Sequence, residues 1–178
     1  LLEDRDQRID AFLAAATVAV IWNLGMLIYL LSKYADDFDA APTRAIANDV
    51  NLIEMMLALG LRDSMVGYTG VSGWKTLEEG LRQGIAELPE LSAKYPTREV
   101  LLGAEPDFFF AGWNYGMTVG GEVTPETLEP LGIKTYELTE SCIFLGPKAK
   151  SSMQDMYNDL LNLGRIFGVE QLGDAEVE

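Results

Sequence analysis

Four short stretches at the ends of expected strands, 48–51, 68–74, 112–117 and 139–142, hold aromatic rings, side-chain amides and carboxylates able to contact a ligand or partner. The third reads Gly-Trp-Asn-Tyr-Gly-Met, two rings and an amide set between glycines. That composition suits stacking on a flat or macrocyclic ligand. It suits a protein interface equally well, because Trp and Tyr dominate interface hot spots, and it also suits a loop folded over its own core. Asn48, Tyr68, Trp74, Trp113, Asn114, Tyr115 and Glu140 are therefore the candidate ligand or partner contacts. Asn51 with Glu54 and Thr76 with Glu79 have the spacing of capping boxes, which assigns them to helix starts before ligands.

Other chemistries are excluded by residue type. The chain has no histidine, which removes Ser-His-Asp and Cys-His nucleophiles and the commonest metal ligand together. Its one cysteine, Cys142, permits no internal disulfide and no four-thiolate zinc site. Glu140 and Cys142 are too few for a metal centre. Asp36, Asp37 and Asp39 lack calcium-loop spacing and read as a solvated stretch. No glycine-rich phosphate loop and no carboxylate pair with a supporting base is present. The expectation is a protein that is not an enzyme, with neither metal nor cofactor. With 28 acidic against 13 basic residues, a formal net charge of −15 and no basic patch, nucleic acid is excluded as a partner.

The elements that must position these groups follow two textures. Residues 11–31 carry no charge and would span roughly 30 Å as a helix, close to the hydrocarbon thickness of a bilayer. Tyr29 and Tyr34 lie near its far end, and Arg5 and Arg8 precede it, which places the N-terminus inside. The expected organisation is a cytoplasmic segment at 1–10, a transmembrane helix at 11–34, a linker at 35–43, a globular domain at 44–170 and an acidic tail at 171–178. Within the domain, strands expected at 44–48, 65–68, 107–111 and 133–138 alternate with helices at 51–59, 98–104, 124–131 and 152–167. Gly60, Gly132 and Gly168 sit where helices exit through a left-handed residue. Alternating strands and helices imply an α/β fold, a parallel sheet of about four strands with helices on both faces. Functional residues of such sheets gather at the carboxyl ends of the strands.

Four segments carry a resemblance. They are RAIANDVNLIEMMLALGLRDSMVGYTG (44–70), REVLLGAEPDFFFAGW (98–113), TPETLEPLGIKTYEL (124–138) and SMQDMYNDLLNLGRIFGVE (152–170). In order and spacing they are similar to the first, N-terminal lobe of the class III periplasmic substrate-binding proteins, the cobalamin and ferric-siderophore type that serves ABC importers. The resemblance implies that the four strand-end stretches face the ligand cleft. It also implies that Glu99, on the short helix at 98–104, occupies the place of a glutamate that docks on the permease. Members of the family have two lobes joined by a long helix, and this chain ends where that helix is expected.

Two functions follow as expectations. One is a membrane-anchored, non-catalytic accessory subunit of a larger membrane complex, photosynthetic, respiratory or transport, with integral membrane subunits as partners. The other is a substrate-binding component of an ABC importer, whose small-molecule ligand would be a corrinoid or an iron chelate. Both place a single-pass protein in the bacterial inner membrane, N-terminus in the cytoplasm and domain in the periplasm.

Overall fold

The computed structural model describes Phe38 and residues 40–73, 75–146 and 150–170. The expected membrane helix at 11–34, the segments at 1–10 and 171–178, and Trp74 lie outside the described residues. Among the described residues no helix is long and apolar enough to cross a membrane.

The α/β unit begins on strand β1 (Ala45–Asn48), followed by α1 (Val50–Ala58) and β2 (Met65–Thr69). Then come α2 (Glu79–Gly84), β3 (Glu90–Ser92), α3 (Arg98–Ala104), β4 (Phe108–Trp113) and the two-residue β5 (Gly116–Met117). The chain closes with α4 (Pro125–Leu128), β6 (Lys134–Glu137), a 3-10 segment (Thr139–Phe144) and α5 (Met153–Ile166). All strand pairings are parallel, in the order β3-β2-β1-β4-β6, with β5 on the last residues of β4. The four expected strands are present, and two short ones join them. β3 is a half-buried three-residue edge strand without an apolar run, and β5 arises inside a glycine-bounded turn.

Burial follows the composition of each strand. β1 and β4 are central and buried along their whole length, so they read as continuous apolar runs rather than alternating ones. Alternation within β4 sends Phe109, Ala111 and Trp113 to one face, into a core with Ile46, Leu101, Met117, Val123 and Leu128. Phe108 and Phe110 point the other way, where Phe108 meets Phe167 edge-on at 5.1 Å and Phe110 lies 5.6 Å from Tyr136. The face under α1 and α5 also buries Leu52, Ile53, Met56 and Leu163. Fully burying each such side chain contributes about 1.5–3 kcal/mol.

Polar contacts set the ends. Asp107 accepts hydrogen bonds from the backbone N–H groups of Thr43 and Arg44, at 2.8 and 2.9 Å, and so aligns the starts of β1 and β4. The Arg44 guanidinium donates to the carbonyls of Glu105 and Ala104, orphan acceptors at the end of α3. Ser152 and Asp155 form the capping box of α5, and Gly132 and Gly168 take left-handed conformations, as expected. Two expected caps are corrected. Asp49, not Asn51, caps α1, because its carboxylate accepts from the Val50 N–H at 2.6 Å while Asn51 and Glu54 are already helical. Glu78, not Thr76, is the first residue of the α2 cap, and its side chain makes no capping bond.

Candidate functional site

Chain order along the sheet reverses direction between β1 and β4, since β2 and β3 lie to one side and β6 to the other. In open α/β sheets ligands bind outside the carboxyl ends of the strands at such a switch point. Here those ends are Asn48–Asp49 and Trp113–Asn114.

Asn48 is fully buried. Its Oδ1 accepts from the Thr69 hydroxyl at 2.8 Å, while its Nδ2 has no hydrogen-bond partner among the described residues. A buried amide donor left unpaired costs about 1–3 kcal/mol, so it demands an explanation. Two glycines pack directly on this amide. A Cβ at Gly70 would sit 2.9 Å from Asn48 Oδ1, and one at Gly116 would sit 2.8 Å from its Cγ.

Two of the four non-glycine residues with positive φ among the described residues lie beside it, with Glu87 and Glu105 elsewhere. Asp49 and Asn114 hold φ of 80° and 60°, values disfavoured for residues with a Cβ. Asp49 is 2% exposed and is held by its N–H to the Thr69 carbonyl at 2.8 Å and by an ion pair with Lys75. Such strained residues cost about 1–3 kcal/mol each and cluster at functional sites. The two here flank the switch point.

Above these groups lies an aromatic rim. The Tyr95 hydroxyl donates to the Asn114 carbonyl at 2.5 Å, and the Tyr115 ring lies 6.3 Å from that of Phe144. Burial, then the negative charge of Asp49 and the neighbouring Tyr115, push the Tyr95 hydroxyl above its ordinary pKa. Phe144 is 46% exposed, and Ile143 and Leu145 on either side of it are exposed as well. Rings and aliphatic groups around a buried amide can stack on a flat ligand and donate one hydrogen bond to it.

The structure places the expected residues unevenly. Asn48, Asn114 and Tyr115 come together at the switch point. Tyr68, half-buried on β2, instead faces Glu90 across the β2–β3 pair, and burial followed by the Glu90 charge raises its hydroxyl pKa. Glu90 also accepts from the N–H groups of Val71 and Ser72, at 3.1 and 2.7 Å. Glu140 lines a separate groove between α1 and α5. Glu99 stands exposed on the first turn of α3, where its own backbone N–H and then the Thr97 hydroxyl hold its carboxyl below the ordinary range. Trp113, expected among the ligand or partner contacts, requires a correction. It is 8% exposed and belongs to the core of its own domain, because it shares the inward face of β4 with Phe109 and Ala111.

Three features escaped sequence reasoning. The Asp49–Lys75 pair joins residues with no local pattern between them. Ser141, fully buried, accepts from the Trp113 N–H at 2.9 Å and donates to the Leu138 carbonyl at 2.6 Å, pinning the end of β4 to the 3-10 segment. Asp159 on α5 accepts from the Tyr136 hydroxyl at 2.8 Å, the Thr139 N–H at 3.0 Å and the Thr139 hydroxyl, while Asn162 donates to Tyr136 at 2.9 Å. Burial raises the Asp159 pKa to about 6 against these stabilising donors, and burial likewise drives Tyr136 well upward. The only sequence signal for this network was the polar spacing of Asp155, Asp159 and Asn162 along one helix face.

The whole arrangement is similar to solved structures. A periplasmic binding protein from Veillonella parvula matches 78% of this chain with 26% identity and a TM-score of 0.65, over 44% of its own length. A structure described as an ABC-type Fe3+-hydroxamate transport system from Saccharomonospora viridis matches 79% of the chain at 23% identity and TM-score 0.62, over 48% of its length. The periplasmic vitamin B12 binding protein of Vibrio cholerae matches 76% at 18% identity and TM-score 0.54, over 46% of its length. The chain thus spans less than half the length of these structures. No protein-family model matches the chain, and no curated protein does. The described unit has the fold of one lobe of the class III periplasmic binding proteins.

Proposed function

We propose that this chain, built on the fold of a periplasmic-binding-protein lobe, is a substrate-binding component of an ABC-type importer that holds an iron chelate or a corrinoid at the switch point. The observation that carries the reading is the buried, unpartnered amide of Asn48, set between two strained strand ends and beneath the Tyr95, Tyr115 and Phe144 rings. The solved structures of similar fold include proteins described as handling an Fe3+-hydroxamate and vitamin B12, which supports the ligand class. On this reading the domain is extracytoplasmic and non-catalytic, and its partner is the membrane permease, with Glu99 available to it on the surface.

Calorimetric titration of the full chain with ferric desferrioxamine B and with cyanocobalamin tests the proposal. Saturable binding of at least one is expected, with Tyr115→Ala weakening it at least tenfold, about 1.4 kcal/mol. The described lobe supplies one wall of contact, so micromolar affinity is expected rather than nanomolar. Absence of binding by both ligands contradicts the proposal.

A second reading is favoured by the exposed run Ile143, Phe144 and Leu145 beside Tyr115. On it, the chain is an accessory subunit attached to the bacterial inner membrane through residues 11–34, and an integral membrane subunit covers this rim. Co-purification of a stoichiometric membrane partner that is lost on Phe144→Ser, together with no ligand heat, would select it.

A further inference from the structure

We propose that the groove between α1 and α5, which shares no residue with the Asn48, Tyr95, Tyr115 and Phe144 cluster, binds a small organic cation with an apolar body. The groove encloses about 600 Å³, within the range of roughly 300–1,000 Å³ of small-molecule sites. Its apolar wall is built from Met55 on α1, Leu138 at the end of β6, and Met153, Met156 and Leu160 on α5. Three thioethers on facing helices make an adaptable, polarisable wall, since methionine reshapes itself around irregular apolar groups. Met153 is 60% exposed, so this wall is open to a ligand.

The polar groups of the groove decide the sign of the ligand. Glu54 and Glu140 line it, and neither carboxylate has a hydrogen bond or ion pair among the described residues. Asp159 lines it too, but its oxygens are already engaged by Tyr136 and Thr139. The other polar lining residues, Asn51, Ser151 and Ser152, are neutral, and among the described residues no lysine or arginine lines the groove. An anion would therefore meet two unpaired carboxylates and no counter-charge, whereas an ammonium placed between them gains both. The net charge of −15 across the chain draws cations in the same sense. An apolar wall with carboxylates that lack a cation selects a hydrophobic amine over its neutral and anionic analogues.

Three probes on one skeleton test this, 4-phenylbutylamine, 4-phenylbutanol and 4-phenylbutyrate, titrated against the full chain labelled at its methionine methyl carbons. The amine is expected to bind at least tenfold more tightly than the alcohol, with the butyrate weakest, and to shift the methyl signals of Met153 and Met156. In the double variant Glu54→Gln with Glu140→Gln the amine should fall to the level of the alcohol, and Met153→Ser should weaken amine and alcohol alike. Equal binding of the three probes, an amine affinity unchanged in the double variant, or a shift pattern that spares both methionines would overturn the proposal. Circular dichroism of each variant separates loss of binding from loss of fold. The groove shares none of Asn48, Tyr95, Tyr115 and Phe144, so either site can fail without the other.

Discussion

Asp159 shows how one buried carboxylate can bind two elements together and also make the domain respond to pH. It lies under α5, receives donors from β6 and the following 3-10 segment, and has Asp155 as its charged neighbour on the same helix. Burial raises its folded pKa to about 6, against an ordinary carboxylate value of 3.8. The protonated form is thus favoured in the folded state. Its contribution to stability is complete below about pH 4 and is lost as pH rises through about 6. A shift of about 2 units corresponds to about 3 kcal/mol. Urea unfolding should therefore give a higher midpoint at pH 5 than at pH 7.5, and Asp159→Asn should abolish most of that difference whatever it does to the midpoint itself. An unchanged pH difference in the variant would remove Asp159 from this role. Asn48 is the complementary case, a polar group buried without a partner and without a titrating proton, which points to a ligand rather than to a switch.

At the scale of elements, the turn from β4 into β5 is the most constrained piece of the candidate site. Gly116 holds φ of 103° with Asn48 filling the space a Cβ would take, whereas Gly132 holds 79° in open space. Gly116→Ala should cost about 2–5 kcal/mol, combining backbone strain with overpacking, and Gly132→Ala only about 1 kcal/mol. Thermal unfolding of the two variants side by side checks this, and equal losses would mean that the close approach to Asn48 carries no weight. Much of this architecture was legible beforehand. The apolar run at 107–111 announced a strand, Gly132 a helix exit, and Ser151 or Ser152 the start of α5. The rest was not, for physical reasons. β3 escaped because a half-exposed three-residue edge has no periodicity to read. Asp49 was passed over for Asn51 because a capping box is a local pattern, whereas the observed cap depends on a strained φ and on Lys75 from another loop. Trp113 was named a contact candidate from its glycine-rich neighbours, although counting by twos from Phe109 places it inward.

At the scale of the molecule, a parallel sheet with a switch point brings strand ends from across the chain together, while helices α1 and α5 leave a groove that Leu138 and Glu140 also line. The net charge of −15 disfavours polyanionic ligands and favours neutral or cationic ones. The central claim is that the strand-end face around Asn48 is where this protein meets its ligand. Hydrogen–deuterium exchange of the full chain, alone and with saturating ferric desferrioxamine B or cyanocobalamin, tests it most directly. The account predicts slowed exchange at residues 48–50, 69–72 and 112–117 with at least one of the two ligands, and no slowing on α2. Exchange unchanged at all three strand ends with both ligands, or protection confined to regions away from them, would contradict it.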